Sequence, residues 1–236
     1  MLPEVVILSG GPATRLRPIT HDVPKALVSV ADEPFIAHQL RLLKDKGIRK
    51  VVILAGYLGE QIKDFVKDGS AFGIEAAYSF DGEKLLGTGG AVKKALGMLG
   101  ESFFLMYGDS YLDTDYKEIN EHFLKQDKPA LMTVLKNNDR WDKSNIEYRD
   151  GIIIGYDKRN PASRMEHIDY GLSLFKKEAF MNHEYPQVFG IDMLYHDLIS
   201  DGKLAAYEVK ERFFEIGSLN GLDETDKYLR GIPRAK

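Results

Sequence analysis

The 236-residue chain contains no cysteine. Disulfides, thiolate nucleophiles and cysteine-ligated zinc or iron–sulfur clusters are therefore excluded, which suits a reducing compartment. Long apolar runs are missing too. The longest are about five or six residues, against the ~20 that a membrane helix needs. The apolar start, Met1 to Leu8, is too short for a signal peptide and gives way at once to Gly10-Gly11. The expected location is the cytoplasm, without membrane contact. An excess of basic charge is also lacking, since 32 Lys and Arg face 36 Asp and Glu for a net charge of −4. A nucleic-acid or anionic-membrane surface needs a basic face, so neither partner is expected. A small anionic substrate stays open, because a few local cations suffice for it. The six histidines show no metal spacing and no H-E-x-x-H.

What the chain does have is 44% hydrophobic and 29% charged residues, ordinary for a globule with a sizeable core. Short β-rich runs alternate with amphipathic segments in the first half. Val5–Leu8 reads as a strand buried on both faces, and Pro34–Gly47 as a helix stopped by its last glycine. Strands at Val51–Leu54, Ile74–Phe80 and Phe103–Tyr107 alternate with helices at Glu60–Val66, Gly90–Leu99 and Tyr116–Leu124. After Leu135 the pattern loosens. Asp150-Gly151 reads as a hairpin turn between Ile146–Tyr148 and Ile152–Tyr156. A strand at Tyr170–Phe175 and helices near Ile191–Ser200 and Leu219–Leu229 complete the reading. Strand–helix alternation predicts an α/β, Rossmann-like, doubly wound sheet, mixed but mostly parallel. No linker, repeat or low-complexity tract divides it. One domain over 1–236 with an elaborated C-terminal half is expected.

The first strand, ending at Leu8, runs into Ser9-Gly10-Gly11-Pro12-Ala13-Thr14-Arg15-Leu16-Arg17-Pro18. Two glycines at the carboxyl end of a strand let backbone N–H groups approach an anion. Arg15 adds a planar donor fork, Thr14 a hydroxyl, and Arg17 and Lys25 further cations. The same residues also fit a plain strand-to-helix turn with surface cations. Ligands in open α/β sheets bind outside the carboxyl ends of the strands, which is where this loop falls. Neither G-x-x-x-x-G-K-[ST] nor the dinucleotide fingerprint occurs, since Gly87-Thr88-Gly89-Gly90 lacks the third glycine.

The glycine loop with Pro24-Lys25 resembles the signature of sugar-1-phosphate nucleotidyltransferases. Gly87-Thr88-Gly89-Gly90, Gly108-Asp109 and Glu215-Ile216-Gly217-Ser218 fall in order where that family has its later motifs. The short bacterial types, which act on mannoheptose or N-acetylmuramate phosphates and lack an added C-terminal β-helix, are the most similar. The resemblance implies transfer of a nucleotidyl group from an NTP to a sugar 1-phosphate with release of pyrophosphate. That chemistry feeds nucleotide-sugar and cell-surface polysaccharide synthesis. It implies Mg²⁺ held by Asp109 and Glu215, and catalytic roles for Arg15, Lys25 and Asp109. Leu8, Gly10, Gly11, Thr14, Gly87, Thr88 and Gly108 would bind the nucleotide, while Lys158, Asp169, Tyr170 and Gly171 would bind the sugar phosphate. Residues 1–136 would thus be mainly the NTP half and 137–236 mainly the acceptor half, in a monomer or homodimer.

The residue types suit that role, and it is the resemblance that selects it over plainer ones. Asp109 ends the apolar run Phe103–Tyr107, Glu215 ends Phe213-Phe214, and two hard carboxylates facing a triphosphate are what Mg²⁺ ligation requires. Asp109 would otherwise be a helix cap, Glu215 a solvated rim carboxylate and Thr88 an N-cap. Four positions depart from the family pattern. Ala13 stands where glycine is usual, and Glu215 where aspartate is. Asp169-Tyr170 replaces Asn-Ala. Asp113-Thr114-Asp115 would hold the metal in a glycosyltransferase, but also fits the cap of the next helix. Two further rivals are a choline-phosphate cytidylyltransferase, with Trp141, Tyr148, Tyr170 and Tyr185 as an aromatic cage, and a non-catalytic nucleotide sensor.

Overall fold

Strand β1 (Val5–Ser9) opens the fold as the sequence reading expects. In a computed structural model that describes residues 1–181 and 184–232, there follow β2 (Ser29–Val30), β3 (Glu33–Pro34), α1 (Phe35–Asp45), β4 (Lys50–Ala55), α2 (Gly59–Val66), β5 (Glu75–Phe80) and α3 (Gly87–Ala95). Next come β6 (Ser102–Tyr107), β7 (Ser110–Tyr111), α4 (Tyr116–Leu124), β8 (Ala130–Lys136), β9 (Ile146–Arg149) and β10 (Ile152–Tyr156). The chain ends with β11 (His167–Lys176), α5 (Ile191–Ser200), β12 (Leu204–Val209), β13 (Phe214–Glu215) and α6 (Leu219–Gly231).

The main sheet is mixed. β5, β4, β1 and β6 lie side by side and parallel. β11 then pairs antiparallel with β6 and with β8, and β12 runs parallel to β8. The β9–β10 hairpin joins β11 at His167. Its turn has positive φ at both Asp150 (48°) and Gly151 (82°), which suits the right-handed twist of the strands. β8 and β12 escaped the sequence reading, and β11 begins three residues before the predicted start at Tyr170.

Alternation along the parallel strands winds helices on both faces. Val5, Ile7, Val51, Ile53, Phe104 and Met106 pack with Ile36, Leu40 and Leu43 of α1, Ile62 and Val66 of α2 and Ile119 and Phe123 of α4. Val6, Val52, Leu54, Phe103 and Leu105 face the other way, onto Val92 and Ala95 of α3 and Leu194, Tyr195 and Leu198 of α5. Both layers exclude water, and this burial is the main term holding the strand ends in register. A smaller cluster, with Val30, Phe35, Tyr111, Ile216 and Leu229, fastens α6 and β13 to the edge where the site lies.

Candidate active site

β1, β4 and β6 end at one rim, with Ser9 opposite Ala55 and Leu8 opposite Tyr107. Gly10 and Gly11 leave β1 there, and the Gly10 carbonyl accepts the N–H of Tyr57 at 3.0 Å. Gly108 donates its N–H to the Leu8 carbonyl at 3.0 Å, and a Cβ on Gly108 would run into that carbonyl. Only glycine lets the chain leave β6 so close to β1. Beside Gly11 there is open space. A crevice of about 440 Å³ opens here, with Leu8, Gly10, Gly11, Gly87, Thr88 and Gly108 in its wall. Thus six of the seven predicted nucleotide residues share one cavity. Thr14 begins a 3-10 turn, and neither it nor Arg17 lines that crevice or the adjoining one.

The adjoining crevice, about 450 Å³, is lined by Arg15, Asp169, Tyr170, Gly171 and Glu215. Tyr107, Asp109 and Lys158 belong to both and form the partition. The predicted nucleotide and sugar-phosphate sets therefore meet at Asp109 and Lys158.

Backbone pairing brings the two carboxylates together. β13 runs antiparallel to β7, Glu215 opposite Ser110, and the Ile216 N–H reaches the Asp109 carbonyl at 2.9 Å. Glu215 accepts hydrogen bonds from the Gly217 N–H and, at 2.7 Å, from the Ser218 hydroxyl. Gly217 is what keeps the space between them clear. A Cβ there would lie 2.7 Å from Glu215 Oε2, 3.1 Å from Asp109 Oδ2 and 3.6 Å from an Arg15 nitrogen. Lys25, in a short turn after Pro24, donates to Asp109 Oδ2 at 2.9 Å. Two hard oxygen donors across a hollow that a methyl group would overfill suit a small divalent cation that takes its other ligands from phosphate and water.

Lys158 follows β10 and crosses to β11. Its ammonium donates to Tyr107 Oη at 2.9 Å and lies 2.9 Å from Asp169 Oδ2, while the Tyr107 hydroxyl donates to the same oxygen at 2.7 Å. The Asp169 side chain is 1% exposed, and its other oxygen accepts the Gly171 N–H at 3.0 Å. Burial alone would lower the Lys158 pKa, but Asp169 beside it wins and raises it above the ordinary value. Burial also lifts the Tyr107 phenol well above its usual range, with Asp169 adding to the effect. Lysine stays charged and tyrosine stays protonated at neutral pH.

Some expectations need correction. Gly87-Thr88-Gly89-Gly90 is the first turn of α3, not a loop before it. Its glycines exist for packing. A Cβ on Gly89 would enter the Phe189 ring, and one on Gly90 would meet the Gln187 carbonyl. The Thr88 hydroxyl accepts the Ile191 N–H at 2.8 Å, so Thr88 caps α5 from across the crevice instead of its own helix. Asp169 spends its oxygens on Lys158, Tyr107 and Gly171, so it shapes the acceptor wall by pairing. The Tyr170 ring is turned into the core, 1% exposed, edge-on to Phe213. Asp115 caps α4 through the N–H groups of Lys117 and Glu118, and Asp113 pairs with Lys46. The metal motif of a glycosyltransferase is thereby taken up structurally. The proposed aromatic cage is dispersed: Tyr185 stacks on Phe189, Tyr148 is tilted against His167, and Trp141 carries Arg140 and Arg212 against its ring. A cationic headgroup would meet two guanidinium groups there.

Sequence reasoning missed Tyr107, Gly217, Asn145 and Asp81. Asn145 accepts the Asp169 N–H at 2.9 Å. Asp81 lines the first crevice and accepts the Leu86 N–H at 3.1 Å. Only Asp81 carried a signal of its own, a lone carboxylate directly after a strand.

Comparison with known proteins gives a consistent picture. A family model described as nucleotidyl transferase matches residues 4–144. The D-glycero-alpha-D-manno-heptose 1-phosphate guanylyltransferase of Campylobacter jejuni is 29% identical over 215 residues, 91% of this chain and 94% of that protein. The N-acetylmuramate alpha-1-phosphate uridylyltransferase of Neisseria meningitidis is 40% identical over 114 residues, covering 48% of this chain and 49% of its own. The chain spans half or less of several relatives that it matches. A crystal structure from Bacillus anthracis, provisionally assigned as a glucose-1-phosphate thymidylyltransferase, superposes with a TM-score of 0.86. It is 22% identical, covering 99% of this chain and 97% of that one.

Proposed function

The chain belongs to the nucleotidyl transferase family, and from that premise we propose that it joins an NTP to a sugar 1-phosphate and releases pyrophosphate. The observation that carries this reading is the partition between the two crevices. Asp109 and Glu215 share the hollow at Gly217 there, with Lys25, Arg15 and Lys158 around them.

A phosphate monoester is largely dianionic at neutral pH, since its second pKa is about 6. Its oxygen attacks the α-phosphorus in line; a P–O bond forms to the sugar phosphate and the bond to the β-phosphate breaks, with pyrophosphate leaving. No general base and no covalent enzyme intermediate are needed. The protein's task is to hold two anions together and offset charge in the transition state. Backbone N–H groups at Gly10 and Gly11 would cradle the triphosphate, and Arg15 would reach its oxygens from the acceptor crevice that it lines. Lys25 stands against both phosphates. Lys158 holds the sugar phosphate across the partition. Asp109 and Glu215 would hold Mg²⁺, which supplies charge neutralisation when bound.

In this reading residues 1–136 serve mainly the NTP and 137–236 mainly the acceptor. Arg15 and Ser110 nevertheless line the acceptor crevice alone, and Tyr107 and Asp109 line both. A monomer or a homodimer is expected. Among the described residues no helix is long and apolar enough to cross a membrane, and the cytoplasm, with its NTP and Mg²⁺, is the compartment that suits the reaction. The test is a thermal-shift panel of NTPs with Mg²⁺, followed by pyrophosphate release against a panel of sugar 1-phosphates. Release of a nucleoside diphosphate, or NTP binding with no pyrophosphate from any acceptor, would overturn the proposal.

A further inference from the structure

An ammonium group has three N–H donors and no acceptor. At Lys158 one meets Asp169 Oδ2 and a second meets the Tyr107 oxygen, each at 2.9 Å. The Tyr107 proton is itself committed to Asp169 at 2.7 Å, so the hydroxyl takes from lysine and gives to aspartate without conflict. The Tyr107 ring lies beneath the ammonium, 4.2 Å from Nζ to the ring centroid, and adds a cation–π attraction. Tyr107 is itself held on the other side. Gly171 has φ of +93°, and a Cβ there would come 3.1 Å from the Tyr107 ring. Glycine at 171 thus leaves room for the tyrosine and follows the aspartate that anchors it.

Two of the three donors are thereby fixed, and among the described residues the third meets no protein acceptor, which leaves it for a ligand. Lys158 borders both crevices. We propose that Tyr107 is a positioning residue, whose hydroxyl and ring aim the remaining N–H of Lys158 at the place where the acceptor phosphate meets the nucleotide. This rests on the reaction proposed above and assigns a residue that the family motifs leave out. A lysine on a flexible four-carbon stem is ordinarily a mobile point charge. Locked by a ring, a hydroxyl and a buried carboxylate, it becomes a directed donor.

Tyr107→Phe keeps the ring and the Lys158–Asp169 pair and removes only the hydroxyl. With the sugar 1-phosphate that the wild-type protein turns over fastest, kcat is expected to fall about 10- to 100-fold, the scale of misaiming a group near a reacting centre. The KM for NTP should hardly move, while loss of the hydrogen bond to the buried Asp169 carboxylate should lower the melting temperature by several degrees without unfolding the protein at assay temperature. In a Lys158→Ala background the same change should have no further effect, because Tyr107 acts through that lysine. Independently of turnover, ¹⁵N NMR of the lysine ammonium groups should show Lys158 as an ordered signal that broadens or shifts in Tyr107→Phe. An unchanged Lys158 signal, or effects of the two substitutions that multiply, would overturn the proposal. Failure of the reaction itself reads separately, as wild-type protein that releases no pyrophosphate, and the ammonium spectrum still decides the positioning role.

Discussion

Replacing Lys25 by alanine separates catalysis from folding. Its Nζ lies 2.9 Å from Asp109 Oδ2, with the two side chains 18% and 28% exposed. A partly exposed pair of this kind contributes roughly 1 kcal/mol to stability. In a chain of this size that lowers the melting temperature by about 2–4 °C. The catalytic cost is expected to be larger. Losing one oriented charge at a transition state costs ~10²- to 10³-fold in kcat, which is about 3–4 kcal/mol. The loss should therefore far exceed what the small destabilisation could cause at assay temperature. The assay is pyrophosphate release at saturating NTP, sugar 1-phosphate and Mg²⁺, beside a melting curve of the same sample. A kcat within fivefold of wild type would refute the role. A melting temperature lowered by more than about 10 °C would mark Lys25 as a structural residue instead.

Gly217→Ala should place its Cβ against both carboxylates and raise the Mg²⁺ concentration for half-maximal activity at least ~10-fold with little change in melting temperature; an unaltered Mg²⁺ dependence would remove the hollow from the account. Thr88→Ala takes away the cap of α5 and is expected to cost about 1 kcal/mol, readable in a denaturant titration, so undiminished stability would contradict the cap. Burial raises the Asp81 carboxyl pKa above its ordinary value of 3.8, with the Leu86 N–H and Lys94 opposing. A carboxyl whose folded pKa lies above its unfolded one opposes folding when ionised, and the penalty fades as pH falls toward the unfolded value. Asp81→Asn should accordingly raise the melting temperature at pH 7 and gain less as pH falls toward 4. A gain that grows on acidification would contradict the sign.

The parallel half of the sheet was legible because its strands are apolar on both faces, and two packed layers demand that. The carboxylates were legible as charges ending such strands. What stayed hidden depends on contacts between distant residues. Gly87 and Gly89 look like loop residues, yet α3 already begins at Gly87, and Gly89 and Gly90 are glycine because the Phe189 ring and the backbone at Gln187 press against that turn. Thr88 fits an N-cap by sequence, but its partner is 103 residues away. Tyr107 reads as the last apolar residue of a core strand, and only Lys158 and Asp169, 51 and 62 residues on, reveal its hydroxyl. Gly217 lay inside the Glu215–Ser218 motif, but nothing local showed that it stands against both carboxylates. Tyr170 was placed at the acceptor by resemblance alone; it borders that crevice, but a bulge between Asp169 and Ser173 accompanies a ring turned inward.

The central claim is that Asp109 and Glu215 close on one divalent ion at the head of a triphosphate lying along Gly10 and Gly11. Its most direct test is a crystal grown with Mn²⁺ and a non-hydrolysable NTP, read by anomalous scattering. The expected result is one manganese peak within about 2.5 Å of an oxygen from each carboxylate, with the phosphates against Arg15 and Lys25. A manganese bound elsewhere, or a triphosphate seated away from those two cations, would contradict it.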